Sequence, residues 1–477
     1  AASDVYKRQI TPGTVTFDKT VGQIATSRLG DIVVNTGAIG LTASGDVNAK
    51  SLNSGTVSGP INMVGIQNYN GANGLTLATT GATGNITVNA ITTTLGAVNF
   101  TNSNNLNLLD NISSSGQIKQ QAGTGGTAKI LVGTSSNNTA LTFTSTTSGI
   151  DLASTVTVNQ DASFTSSTNG LINIRSTIVS DTNFARKLTV TTNNGTISFG
   201  GNIGSATDEF SQVVVSAGAT GTVTLAGSSV TTSGSGGQSF TGSTSFNANL
   251  TMDAGSGPIA FAGTLSSPNT KNLTLTTTGT LGFGVVTGLG DISITGASSG
   301  LTATSISGNS LVGSVALNGP VNITGAQTYQ DRISLATSGT SSMNVGSIST
   351  TNRDITLATN LGTLTVGALT AQNGTFGNIN LTHGGTLTFG GNILAGSSLN
   401  VTTNNGASIV VGNGSNVSMQ ALGGGVSLTG AVTLVNDLSI NAADAVSFGS
   451  TINSVNLATR GALSITTSGD PITFSGA

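Results

Sequence analysis

Short segments in which apolar and hydroxyl residues alternate recur along the whole chain: LTLAT (75–79), LTFTS (141–145), LTVTT (188–192), LTLTT (273–277), ISLAT (333–337), ITLAT (355–359), LNVTT (399–403) and LSITT (463–467). A period of two is the signature of a strand, because successive side chains leave a pleated backbone on opposite faces. The alternation therefore predicts strands with Leu, Ile and Val on one face and Thr or Ser on the other. Clusters of Gly, Asn and Ser separate the segments and supply tight turns. No stretch carries a 3.6-residue apolar period, so the chain is expected to be all-β.

Spacing selects among all-β architectures. Segments beginning at Leu250, Leu273 and Ile292, and again at Ile333, Ile355, Ile379 and Leu399, follow one another at about 19 to 24 residues, the length of one unit of a repeat fold. The expectation is a single-stranded right-handed parallel β-helix (β-solenoid) of about 20 coils, each of roughly 19–27 residues. Each strand would pair with its equivalent one coil away, about 4.8 Å along the axis, giving a rod on the order of 100 Å. Inward aliphatic residues would stack in columns, with Phe261 on Phe283 and Phe448 on Phe474 as candidate aromatic stacks. Outward Thr and Ser would form the solvent face.

A longer repeat supports the same reading. Leu29-Gly30-Asp31-Ile32 returns as Leu289-Gly290-Asp291-Ile292, and GPINMVGIQNYN (59–70) as GPVNITGAQTYQ (319–330), both at an offset of 260. After a slip of two, Leu77-Ala78-Thr79 matches Leu335-Ala336-Thr337, so the long repeat spans 29–93 and 289–351. GTISFGGNI (195–203) also returns as GTLTFGGNI (385–393). Solenoids lengthen by such internal duplication, because each coil touches only its neighbours.

Composition narrows the function classes. Charged residues make up 6% of the 477, against about 25% in an ordinary soluble domain. The net charge is −3 and the 14 Lys and Arg are scattered, so the clustered cations that neutralise nucleic-acid phosphates are missing. There are no cysteines, which removes disulfides and thiolate metal sites. No run of 18 or more apolar residues occurs, so no helical transmembrane segment is expected. Disorder is disfavoured despite the Gly/Ser/Thr/Asn bias, because regularly placed β-branched and aliphatic residues persist throughout. Asp4-Val5-Tyr6-Lys7-Arg8-Gln9 matches the in-frame translation of a sequencing-library transposon end, and Ala1–Gln9 is set apart from the fold on that ground. Residues 10–477 are then read as one continuous solenoid shaft, a piece of a longer chain.

Strings such as GPVNITGAQTYQ and GTLTFGGNI resemble the degenerate strand repeats of filamentous-haemagglutinin-type exoproteins and large autotransporter adhesin passengers, over essentially Ile10 to Ala477. The resemblance lies in texture and repeat style. It implies a β-helix shaft, export by two-partner secretion or as an autotransporter through an outer-membrane translocation partner, and a place outside the cell or on the bacterial surface. The implied work is attachment or aggregation at a host or neighbouring-cell surface, with glycans as candidate ligands, and it implies no enzymatic activity. Two other readings share the fold: a polysaccharide-binding or polysaccharide-degrading β-helix, and an ice- or surface-binding solenoid with a Thr ladder.

Polysaccharide cleavage needs clustered carboxylates; the densest group is Asp181, Arg186 and Lys187, with Asp208 and Glu209 about one coil later, and a set of solvated loop ions describes it better. Asp331-Arg332 and Arg353-Asp354 are 22 apart, which predicts Asp331 stacked on Arg353 and Arg332 on Asp354, each cross-coil pair worth about 0.2–1 kcal/mol. Tyr69 and Tyr329 occupy equivalent places in the long repeat; exposed rings would make a sugar platform, whereas corner packing with a bonded hydroxyl suits the residue type better. His383, the single histidine, is expected as an exposed turn residue rather than a ligand or base. Gly123–Ala128 (GTGGTA) fits a loose dinucleotide pattern but precedes a strand, not the helix the motif requires. Thr274, Thr276, Thr277 and Thr278 carry the ice-binding idea, weakened by uneven coil lengths. No cofactor or metal is expected.

Overall fold

The computed structural model describes residues 13–22, 28–34, 39–123, 128–134, 139–181, 186–351, 353–371, 376–412, 414–455 and 461–476. The segment 1–9 and most of the GTGGTA motif lie outside the described residues. The chain is all-β, with no helix among the described residues: a parallel β-solenoid of about 20 turns. It falls into two compact units, Ala1–Ala248 and Asn249–Ala477.

Three short strands make one turn. In the first unit, Leu75–Thr79, Ile86–Val88 and Ile91–Thr93 form a turn. Each pairs in parallel with its successor, Val98–Asn102, Asn105–Leu108 and Ile112–Ser114 respectively. In the second unit Val321–Ile323, Gln327–Tyr329 and Ile333–Thr337 stack in the same way on Met343–Val345, Ile348–Thr350 and Ile355–Thr359. The segment starts picked out by spacing are direct partners: Leu250 opposes Leu273, Leu273 opposes Ile292, and Ile333, Ile355, Ile379 and Leu399 succeed one another.

The core is a set of columns. Leu335, Leu357, Leu381, Val401, Leu428 and Phe448 follow one another in register and are all buried. Burying each such side chain contributes about 1.5–3 kcal/mol before entropy is counted. Phe261 and Phe283 stack with centroids 5.8 Å apart, and Phe448 and Phe474 with centroids 5.2 Å apart. A third stack, Phe143 on Phe164 at 5.1 Å, was not anticipated.

One expectation about facing needs correction. In LTLAT, ISLAT and ITLAT the fifth residue has the same phase as the first and third, so Thr79, Thr337 and Thr359 point inward and are buried. Each hydroxyl is bonded where the chain turns: Thr79 Oγ1 donates to Gly84 O (2.7 Å), Thr337 to Ser341 O (2.8 Å) and Thr359 to Gly362 O (2.8 Å). A buried donor must find an acceptor, and the tight turn supplies a backbone carbonyl within reach.

A second device sits at the start of strands. The residue just before the first inward position carries a carboxamide or carboxylate that accepts the backbone N–H of the equivalent residue one turn later. Asn249 Oδ1 takes the Asn272 N–H (3.1 Å), and Asn272 Oδ1 takes the Asp291 N–H (2.9 Å). Asp354 Oδ1 takes the Asn378 N–H (2.7 Å), and Asn378 Oδ1 takes the Ser398 N–H (3.2 Å). In the first unit Asp46 and Asn85 do the same for Ile66 and Asn105. Asn and Asp are favoured here because their short side chains reach a neighbouring backbone without blocking the turn.

Candidate functional site

The outward positions of the strands carry the surface chemistry. Where Asn repeats in register, the side chains bond from turn to turn: Asn344 Nδ2 donates to Asn322 Oδ1 (3.0 Å) and Asn400 to Asn380 (3.1 Å), and Asn68 does the same to Asn48 (2.9 Å), which is itself buried. Hydroxyls make equivalent rungs, with Thr196 and Thr222 at 3.2 Å and Thr276 and Thr295 at 2.7 Å. The surface is thus built of neutral donors and acceptors held in rows. The suspected Thr ladder at 274–278 does not form one face: Thr274 and Thr276 point outward, whereas Thr277 is buried and donates to Gly257 O (2.6 Å).

Ion pairs cross between turns. Arg353 Nε lies 3.4 Å from Asp331 Oδ1, with side chains 72% and 38% exposed. Arg332 and Asp354 are not brought together; Arg332 is exposed, and Asp354 Oδ1 is engaged by both the backbone and the side chain of Asn378. The strand-start device thus outcompetes that ion pair. Two pairs have closer geometry; one was not expected from the sequence, and the other corrects the reading of Asp181 and Arg186 as solvated loop ions. Arg175 grips Asp151 bidentately, at 2.8 and 2.6 Å, and the carboxylate's bonds and charge raise the guanidinium pKa further. Arg186 and Asp181 form a nearly buried fork at 3.3 and 3.1 Å, with side chains 8% and 10% exposed.

The densest ionic group therefore resolves into separate local contacts. Asp181 pairs with Arg186, Asp161 accepts the Lys187 N–H (2.9 Å), and Asp208 Oδ2 accepts the Ser205 hydroxyl (3.3 Å). Among the described residues no group of three or more His, Cys, Asp and Glu is placed to hold a metal ion.

The tyrosines are packed core residues with bonded hydroxyls, as the residue type favoured, which corrects the alternative of an exposed sugar platform. Tyr69 and Tyr329 are both 0% exposed. Their hydroxyls donate to the Gln two residues earlier: Tyr69 Oη to Gln67 Oε1 (2.9 Å) and Tyr329 Oη to Gln327 Oε1 (3.0 Å). Burial holds both phenols well above their ordinary pKa range. Alternation accounts for the placement, since Gln-x-Tyr puts both side chains on the inward face. Each pair is a polar bridge inside the core.

His383 is likewise corrected. It is the fifth residue of the strand Ile379–His383 and so has the inward phase, with 0% exposure. Nδ1 donates to Gly385 O (2.6 Å), while buried Nε2 has no hydrogen-bond partner. Burial lowers its pKa from 6.5, the Gly385 bond partly opposing the shift. It takes the place that Thr359 and Thr403 hold one turn before and after.

No family model matches the chain, and no curated protein and no solved structure does. Among the described residues no helix is long and apolar enough to cross a membrane.

Proposed function

We propose that this chain is a length of shaft from a large secreted or surface-displayed bacterial adhesin-like protein of the filamentous-haemagglutinin type, acting in attachment or aggregation outside the cell and not as an enzyme. The carrying observation is the three-strand turn, apolar inside and neutral outside, repeated through both units. Such a turn can be added many times without redesign of a core, because its stabilising contacts are with adjacent turns. That suits a protein whose task is reach. Rows of hydroxyls and carboxamides offer many weak hydrogen bonds, and attachment through weak contacts gains strength from their number. Host or neighbouring-cell glycans, rich in hydroxyls, have matching chemistry. A cysteine-free chain is compatible with passage unfolded through an oxidising compartment to an outer-membrane translocation partner. Polysaccharide cleavage would need carboxylates converging on one bond; the separate engagement of Asp161, Asp181 and Asp208 favours binding over turnover.

The test compares the chain coated densely on beads with the same chain free in solution, on bacterial and epithelial cells and on a polysaccharide panel. Coated beads should adhere, free chain should bind weakly, and adhesion should persist at high salt because few charges are involved. Release of reducing ends from any polysaccharide, or beads adhering no better than uncoated ones, overturns the reading.

A further inference from the structure

The hexapeptide Val-Thr-Thr-Asn-Asn-Gly occurs twice, at 190–195 and 401–406, once in each unit. The two copies sit in different backbone environments. In the first, Asn194 has φ 61° and its Oδ1 accepts the Thr220 N–H (3.2 Å). The Gly195 N–H donates to Thr192 Oγ1 (3.1 Å). Gly195 also lies against the preceding turn, where an added Cβ would fall 2.5 Å from Gly170 O.

In the second copy Asn405 and Gly406 have φ of 57° and 70°. Two successive positive φ values make a type I′ turn, closed by the Ala407 N–H donating to Asn404 O (3.2 Å). Among the described residues the Asn405 side chain and the Gly406 N–H have no hydrogen-bond partner, and a Cβ added at Gly406 would meet nothing within 4 Å.

We propose that Asn405 is a site of spontaneous covalent modification, converting to aspartyl and isoaspartyl residues through a cyclic imide. The Gly406 amide nitrogen attacks Asn405 Cγ and forms the new N–C bond of a five-membered ring. The Cγ–Nδ2 bond breaks, and ammonia leaves with the proton the Gly406 nitrogen has given up. Water then adds to either ring carbonyl, opening it to aspartate or to its β-linked isomer and restoring the N–H. The sum is asparagine plus water giving aspartate plus ammonia, with solvent as the co-reactant. The reaction needs a free amide nitrogen, a free carboxamide and a following residue without a Cβ; Asn405-Gly406 meets all three.

Three of the other described Asn-Gly pairs fail one condition. The Gly71 N–H is held by Lys50 O (2.7 Å) and the Gly74 N–H by Gly71 O (3.1 Å). Both ends of the Asn318 carboxamide are engaged, by Ala297 O and by the Ser338 hydroxyl. Asn169-Gly170 meets the same conditions, with Gly170 packed so that an added Cβ would fall 2.9 Å from Gly149 N, and it is a second candidate to follow in the same digest. The product places a new negative charge, or an extra backbone methylene, in a corner of an otherwise neutral surface.

The test incubates the folded chain at mildly alkaline pH, digests it with a broad-specificity protease and follows both hexapeptides by mass spectrometry and enzymatic isoaspartate methylation. Asn405 should convert several-fold faster than Asn194 in the folded chain, and the two rates should converge in denaturant, where the sequences are the same. Asn405→Gln should abolish conversion at that position without altering the rate at Asn194. Equal rates in the folded chain, or conversion at Asn194 ahead of Asn405, overturns the proposal.

Discussion

Removing the Tyr329 hydroxyl tests whether the buried polar bridge is structural. Tyr329→Phe keeps the ring and its burial, so the apolar transfer term is unchanged and only the bond to Gln327 Oε1 is lost. Gln327 is 1% exposed and its Nε2 already has no partner, so the variant leaves its whole carboxamide unsatisfied inside the core. The expected cost is about 1–3 kcal/mol, a roughly 5- to 150-fold rise in the opening equilibrium of the surrounding turns. Gln327→Met alone orphans the phenol and should cost a similar amount. The double variant removes both partners at nearly constant volume and should recover most of the loss. Amide hydrogen exchange of the second unit is the appropriate assay, because opening of a repeat array is local and a single melting temperature would average over turns. A neutral Tyr329→Phe, or a double variant costing the sum of its parents, would refute the bridge.

Three further outcomes are expected. His383 should make the second unit acid-sensitive: above pH 6.5 it is neutral folded and unfolded, and as pH falls through 6.5 toward its lowered folded pKa the unfolded chain takes up the proton first, so stability is lost. The facing strands Ile355–Thr359, Leu387–Phe389 and Leu399–Thr403 and the turns 360–363, 384–386 and 404–407 carry no charged residue to host the cation. His383→Thr should therefore flatten the change in urea midpoint between neutral and mildly acidic pH. Asp331→Asn should shift stability by less than about 1 kcal/mol, because that pair is solvated, whereas Asp181→Asn should cost about 3–5 kcal/mol by breaking a nearly buried pair; equal effects in denaturant titration would refute the distinction. Phe143→Ala should cost about 3–5 kcal/mol through the cavity beneath Phe164, read as a lowered denaturant midpoint with an unchanged slope.

The architecture was legible because one number, the spacing of apolar segments, is set by the circumference of a turn. Leu273 follows Leu250, and Ile355 follows Ile333, in the structure as in the spacing. Facing was legible only up to the fourth residue of each segment. Thr79 and His383 read as polar and therefore outward, but period two sends position five inward whatever its polarity, and a turn carbonyl makes that tolerable. The same arithmetic applied to Gln-Asn-Tyr places Tyr69 inside, in line with the packing its residue type favoured. Pairing of Arg332 with Asp354 failed for another reason: register put them within range, yet Asp354 had a nearer partner in Asn378. Composition hid the strand-start Asn and Asp residues, since Asn also fills the loops.

The placement of those residues immediately ahead of a strand frees the connecting segments from carrying alignment information. The Asn272 carboxamide reaches a backbone amide 19 positions downstream, Asp161 one 26 downstream and Asn111 one 31 downstream, so the tie measures distance in space and is blind to contour length. Residues gained or lost between strands leave it intact. The corners can thus lengthen or shorten while the ladder beneath keeps its alignment.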